Sequence, residues 1–361
     1  MRRVHARAAQ AAVPASGSGS GSRTPSGGAK VQRLQATGFR RRGASGRFAY
    51  ATADGRRPSF ADRTRIRALV LPPAWTDVAI AASPASSLQA VGRDRAGRWQ
   101  YVYHPARVRE RERRKRERLV AFMQAMPELR TEITRGLRAG GLSREHVLSA
   151  ILRILSLSFL RPGSERYARD NDSYGLSTLK RRHVSVRGDR VLFDFRGKSG
   201  KHQHRELVDR SVASVVRALL AIPGRQLFRY RAEDGAMVDV RRRDINAFLR
   251  ERTGRGFTAK DFRTWAATLL CAVRLGARAA EAPASRTALQ RSVREELREV
   301  AAVLGNTPAV CRASYVCPDV IRAFEERRLI PCGPRLDLAR LARRTRLTRA
   351  ERSVLRLLRS A

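Results

Sequence analysis

The chain has 361 residues, of which 42% are hydrophobic, enough for two compact domains with their own cores. Its 75 Lys and Arg face only 32 Asp and Glu, a formal net charge of +43. That excess is far beyond what solubility needs and points to a polyanionic partner. No stretch approaches the roughly 18 consecutive apolar residues of a membrane-crossing helix, which excludes membrane insertion.

Residues 1–53 contain no Asp or Glu, and Ser16 to Ser22 is a Gly/Ser repeat. The opening therefore reads as a disordered basic tail over 1–45. An Arg-rich, acid-free start also suits an organelle transit peptide, but the apolar segment of an export signal is missing. The four cysteines, Cys271, Cys311, Cys317 and Cys332, form no C-x-x-C pair and no cluster with histidine. They read as free thiols rather than zinc ligands.

After the tail, Leu69 to Trp75, Ser87 to Val91 and Arg98 to Tyr103 read as short strands, with Asp94-Arg-Ala-Gly97 as a hairpin turn. These define a β-rich domain over 46–125. Arg107 to Leu119 is almost wholly charged, then Val120 to Met126 turns apolar, which predicts a helix leaving that domain with a solvated face. A mainly helical domain is expected over 126–325, with a basic extension over 326–361. Ser143 is placed to cap a helix whose core face carries Val147, Ile151, Ile154, Leu155 and Phe159. Alternation at His183–Val186, Val191–Phe195 and His202–Leu207, separated by Arg187-Gly-Asp189 and Gly197-Lys-Ser-Gly200, predicts a three-stranded antiparallel sheet. Helical spacing returns at 211–220, 244–251, 261–275, 289–304 and 347–358. The fold class is thus α+β: a small N-terminal β-sheet domain and a larger, mainly α-helical domain containing a three-stranded sheet.

Arginine fills nearly every basic position, and lysine occurs only at Lys30, Lys115, Lys180, Lys198, Lys201 and Lys260. Lys198 at the hairpin tip stands out, because a lysine can surrender a proton and an arginine cannot. A solvated turn lysine is the plain alternative. In Lys260-Asp-Phe-Arg263, Asp261 and Arg263 fall in the first turn of a helix, where exposed N–H groups favour an anion such as phosphate. Gly305-Asn306-Thr-Pro308 is a helix-breaking turn leading to Tyr315. Taken singly, Asn306 reads as a turn former and Tyr315 as a half-buried packing residue.

Together, and in order, these segments resemble the type IB DNA topoisomerases, in particular their compact poxviral and bacterial branch. The resemblance is carried by Phe159-Leu-Arg161-Pro-Gly163-Ser-Glu-Arg-Tyr167, Asn171-Asp-Ser-Tyr-Gly175-Leu-Ser-Thr178-Leu-Lys180, Gly197-Lys198, Lys260-Asp-Phe-Arg263-Thr and Gly305-Asn306-Thr-Pro308 to Tyr315. Leu71-Pro-Pro-Ala-Trp75 and Arg98-Trp-Gln100-Tyr101-Val-Tyr103-His-Pro105 resemble that family's DNA-clamping β-domain. Coverage runs over about 46–325.

The resemblance implies Tyr315 as nucleophile, Arg161 and Arg263 on the scissile phosphate, and Lys198 as general acid. Asn306 stands where viral and nuclear members have histidine, and it can donate only a neutral hydrogen bond. Gln100, Tyr101 and Tyr103 would face the DNA, Gly163 and Tyr167 would contact its backbone, and Lys260 would also bind it. The implied reaction relaxes supercoils through a 3′-phosphotyrosyl nick without ATP, metal or other cofactor. Its partner would be double-stranded DNA, clamped by a monomer in the cytoplasm or on a bacterial nucleoid. A tyrosine recombinase shares the Arg, Lys, Arg and Tyr set but would show His-x-x-Arg and a helical N-terminal domain. A non-catalytic basic DNA-binding protein needs the charge alone.

Overall fold

The computed structural model describes residues 13–14, 27–43, 47–279, 285–328, 336 and 338–361. The chain divides into two compact units, Met1–Arg114 and Lys115–Ala361.

The first unit is an antiparallel sheet with a helix against each face. Its strands are β1 (Val13–Pro14), β2 (Phe39–Arg42), β3 (Ala49–Ala51), β4 (Thr76–Ile80), β5 (Leu88–Arg93) and β6 (Trp99–Tyr103), in the order β1-β6-β5-β4-β2-β3. Side chains alternate across the sheet, so each strand feeds two small cores. Val78 and Ile80 pack with Ile66 of α2 (Phe60–Ala68) and with Trp75, whereas Ala79 and Val91 pack with Val31 of α1 (Gly27–Thr37). Gly92 lets the Trp75 ring lie on β5, since a Cβ there would come within 2.6 Å of the indole.

Three expectations change here. The tail expected over 1–45 falls partly outside the described residues, including the Gly/Ser repeat. Within it, however, residues 27–42 form α1 and β2, with Val31 and Phe39 buried. Val31 and Leu34 on one face of α1 were too weak a pattern to read. Leu69 to Trp75 is not a strand, because Pro72 and Pro73 lack the N–H a ladder needs, and pairing starts at Thr76. The β-domain also ends earlier than residue 125: α3 (Pro105–Gly136) enters the core only at Leu119, behind its charged opening turns.

The second unit is built around α4 (Arg144–Ser158), which is buried on every side from Val147 to Ser156. Ser143 caps it, accepting from the His146 N–H at 3.3 Å. The short α5 (Glu165–Asn171), none of whose residues is buried, follows it in the chain, and against α4 lie the sheet of β7 (Val184–Arg187), β8 (Arg190–Arg196) and β9 (His202–Val208), and α6 (Arg210–Ala221). The hairpin β10 (Arg229–Arg231) and β11 (Met237–Asp239) precedes α7 (Arg242–Thr253), α8 (Ala259–Ala279), α9 (Arg286–Leu304), α10 (Pro308–Ser314) and α11 (Pro318–Glu325). The three-stranded sheet and the helices read from the sequence are all present.

The C-terminal helices α12 (Leu338–Arg343) and α13 (Arg349–Arg359) follow. The expected extension is therefore part of this unit's core: Val354 and Leu358 join the main cluster, and Glu351, wholly buried, pairs with Arg130 at 2.6 Å. Thr348 and Glu351 close a capping box at the start of α13. Among the described residues no helix is long and apolar enough to cross a membrane. Cys271, Cys311 and Cys317 are buried free thiols, whereas Cys332 lies outside the described residues. Burial pushes the Cys311 thiol up to about 11 and the Cys317 thiol up to about 12, so neither is a thiolate at neutral pH.

Candidate active site

The site forms where α4 ends. Phe159 takes the left-handed conformation (φ 52°) as the helix cap, and this turn leads the chain out to Arg161. The Arg161 loop is stitched to residues 175–178 through Leu176 N to Arg161 O (3.0 Å) and Ser177 N to Pro162 O (2.8 Å). Gly163 (φ 91°) and Gly175 make this approach feasible, because a Cβ on Gly175 would sit 2.6 Å from the Gly163 Cα. Gly163 thus has a packing reason to be glycine, independent of any DNA contact.

Arg161 donates from Nη2 to Gly305 O (3.1 Å) and to Asn306 Oδ1. Asn306 thereby has its carbonyl engaged, and its Nδ2 is a buried donor without a protein partner. Arg263, in the second turn of α8 and only 2% exposed, donates to Phe159 O and to Leu304 O (2.8 Å). Its Nε is likewise buried without a partner. Burial, then the neighbouring Arg263 charge, lowers the Arg161 guanidinium to about 10, opposed by Tyr315. It remains a cation at neutral pH.

Tyr315 ends α10 and is partly exposed. The Arg263 guanidinium carbon lies 4.9 Å from its ring centroid and Lys260 Nζ 5.9 Å. Burial pushes the phenol up, but Arg263, Arg161 and Lys260 together outweigh it, so the phenol ionises below the ordinary tyrosine range. The main chain around it is fixed by Thr268, whose Oγ1 donates to Tyr315 O (3.3 Å) and accepts from Cys317 N (3.1 Å).

Lys198 sits at the tip of the β8–β9 hairpin, exposed, in a turn closed by Gly197 N to Lys201 O at 2.8 Å. It lines a narrow cleft together with Arg161, Arg263, Gln203 and Arg205. No Asp or Glu lines this cleft among the described residues. Arg205 was not singled out from the sequence. Its signal was the β9 alternation, which turns Gln203, Arg205 and Leu207 to one face; its Nη2 donates to Ala302 O and Val303 O, both at 3.2 Å. The structure therefore brings Arg161, Arg263, Asn306, Lys260 and Tyr315 together, with Lys198 on the wall of the cleft that Arg161 and Arg263 also line.

The residues expected to face DNA separate. Tyr101 and Tyr103 share one face of β6, their rings stacked at 6.2 Å. Gln100 cannot share that face, because successive strand residues alternate; it is buried and donates to Asp94 Oδ2 at 2.8 Å. Tyr167 is 52% exposed on α5, and Lys260 is exposed beside Tyr315.

Residues 105–327 match the family model described as eukaryotic DNA topoisomerase I, catalytic core, and residues 47–94 that of the bacterial DNA topoisomerase IB N-terminal domain. A DNA topoisomerase 1B of Acanthamoeba polyphaga mimivirus is 32% identical over 269 residues, 73% of this chain and 80% of the viral protein. The chain belongs to the type IB DNA topoisomerases. A DNA topoisomerase I of Monkeypox virus is 20% identical over 66% of the chain and 73% of its own length. A DNA topoisomerase 1B of Vaccinia virus matches at 27% over 34% of the chain and 38% of its own length. This type IB topoisomerase acts on DNA, and its catalytic-core match is joined to a match to a bacterial topoisomerase IB N-terminal domain.

Proposed function

We propose that this enzyme relaxes supercoiled duplex DNA by a transient 3′-phosphotyrosyl nick. The observation that carries the reading is the setting of Tyr315: a phenol lowered by Arg263, Arg161 and Lys260 in spite of burial, beside a cleft whose walls hold cations and no carboxylate. A phosphodiester fits there. Its nonbridging oxygens take the guanidiniums of Arg161 and Arg263, which stay charged, and the unpartnered Asn306 Nδ2 adds a neutral donor.

Tyr315 Oη attacks phosphorus, the bond from phosphorus to the 5′ oxygen breaks, and Lys198 gives that oxygen a proton. The phenolic proton passes to solvent, and the surrounding cations hold the phenolate that results. The cut strand then rotates about its intact partner. Religation reverses the sequence: the 5′ hydroxyl returns its proton to Lys198 and attacks the phosphotyrosine. Because one phosphodiester is exchanged for another, no ATP is required, and the residues above supply every charge the reaction develops without a metal.

The reading extends to the whole molecule. The protein acts as a monomer on double-stranded DNA, with the β-sheet unit and the helical unit embracing the duplex and Tyr101 and Tyr103 toward it, in association with the nucleoid. A net charge of +43 supports strong, salt-sensitive binding. Plasmid relaxation in EDTA tests the reading: wild-type protein relaxes supercoils of either sign, and Tyr315→Phe binds DNA but relaxes none. Relaxation by the variant would refute the mechanism.

A further inference from the structure

Helix α3 is fastened to two of the chain segments that build the site. Lys115, one of only six lysines in the chain, donates from Nζ to the carbonyl of Val316 at 2.8 Å, the residue directly after Tyr315. Close to one turn further on, Arg118 forks onto Asp261 at 2.6 and 2.7 Å and reaches Gly256 O at 2.8 Å. Asp261 also accepts from Thr258 N (2.7 Å) and Thr258 Oγ1 (2.9 Å), so it closes the first turn of α8, the helix of Lys260 and Arg263. Between the two, Arg116 lies 3.6 Å from Asp319, whose Oδ2 accepts from Cys317 Sγ at 3.2 Å.

The consequence falls on Tyr315. Val316 and Cys317 are fully buried, whereas Tyr315 is partly exposed, so the phenol projects from a peptide pinned behind it. Thr268 holds that peptide at Tyr315 O and Cys317 N, and Lys115 holds the carbonyl between them.

We propose that Lys115 is a positioning residue for the nucleophile, fixing the main chain at Val316 so that the phenol is held beside Arg161 and Arg263 before any bond to DNA exists. The inference rests on Tyr315 being that nucleophile. It predicts an asymmetry between the two chemical steps. Before cleavage the protein alone orients the phenol, and losing one tether adds to the entropy of reaching the attacking geometry. After cleavage the ring is bonded to the DNA, which holds it whether or not Lys115 is present.

The test uses the full chain and a suicide duplex that accumulates the covalent adduct, following single-turnover cleavage, religation from preformed adduct and duplex affinity. Lys115→Met keeps the stem and removes the donor. It should cleave about tenfold more slowly, the worth of one hydrogen bond from a charged group, while religation stays within about twofold and affinity is unchanged. Lys115→Arg keeps the charge and should recover part of the cleavage rate. Equal slowing of both steps in Lys115→Met, or unchanged cleavage, would overturn the proposal. A wild-type protein that forms no adduct, or a Tyr315→Phe variant that still cleaves, would instead remove the nucleophile assignment on which it rests.

Discussion

Two regions of the helical unit bury arginines in opposite ways. At the docking of α13, Arg130 ends on the carboxylate of Glu351, both at most 1% exposed. In the cleft, Arg263 ends on the carbonyls of Phe159 and Leu304, Arg161 on Gly305 O and Asn306 Oδ1, and Arg205 on Ala302 O and Val303 O. A carboxylate cancels the charge it meets. A carbonyl orients a guanidinium and leaves its unit charge for an incoming anion. The first arrangement builds a fold, and the second leaves a positive potential free for the phosphate of the proposed reaction.

That contrast can be tested by removing cations from each region. Lys198→Ala takes the proton donor from the cleft and should slow cleavage and religation by about a hundred- to ten-thousand-fold, with duplex affinity nearly intact. Equal losses in affinity and rate would contradict the acid role. Arg263→Ala should lower the cleavage rate about a hundred- to a thousand-fold. Arg130→Ala should show the converse, a stability loss of about 3–5 kcal/mol in denaturant melts, from stranding Glu351, with the rate per folded molecule little changed. If the two variants behaved alike, the distinction between carbonyl-held and carboxylate-held arginines would collapse.

The pH profile sharpens the same point. Cleavage should rise with pH as the phenol ionises, with its midpoint below that of free tyrosine. Removing Arg263 takes away the largest of the charges that lower the phenol, so the rising limb should move to higher pH. An unmoved limb would mean that Arg263 does not act on Tyr315. The smallest effect is expected for Asn306→His, which supplies a donor able to carry charge: relaxation retained or raised. Complete inactivation would show that the Arg161 contact to Asn306 Oδ1 is indispensable.

The site was more legible in the sequence than the fold's margins. Arg161, Lys198, Arg263, Asn306 and Tyr315 are carried by short motifs whose order survives in one chain, and the structure gathers Arg161, Arg263, Asn306 and Tyr315 with Lys198 on the cleft wall. Arg205 was hidden because one more arginine among so many carries no local signal; only its register with Gln203 and Leu207 marks it. Thr268 and Lys115 act through backbone atoms of residues 47 and 201 positions away, which no local pattern reveals. At the margins, α1 buries Val31 against a sheet formed from later segments, and α13 buries Glu351 against Arg130 more than two hundred residues earlier in the chain. A basic surface pattern looks the same for a tail and for a docked helix, since the difference lies in partners distant in sequence.

The account depends on Tyr315 reaching a phosphorus atom held by Arg161 and Arg263. Denaturing the enzyme on a nicked duplex labelled at both ends, followed by protease digestion and sequencing of the linked peptide, tests this directly. The expected product is a peptide containing Tyr315 joined to the 3′ end of the cut strand. A link to the 5′ end, or to any other residue, would contradict it.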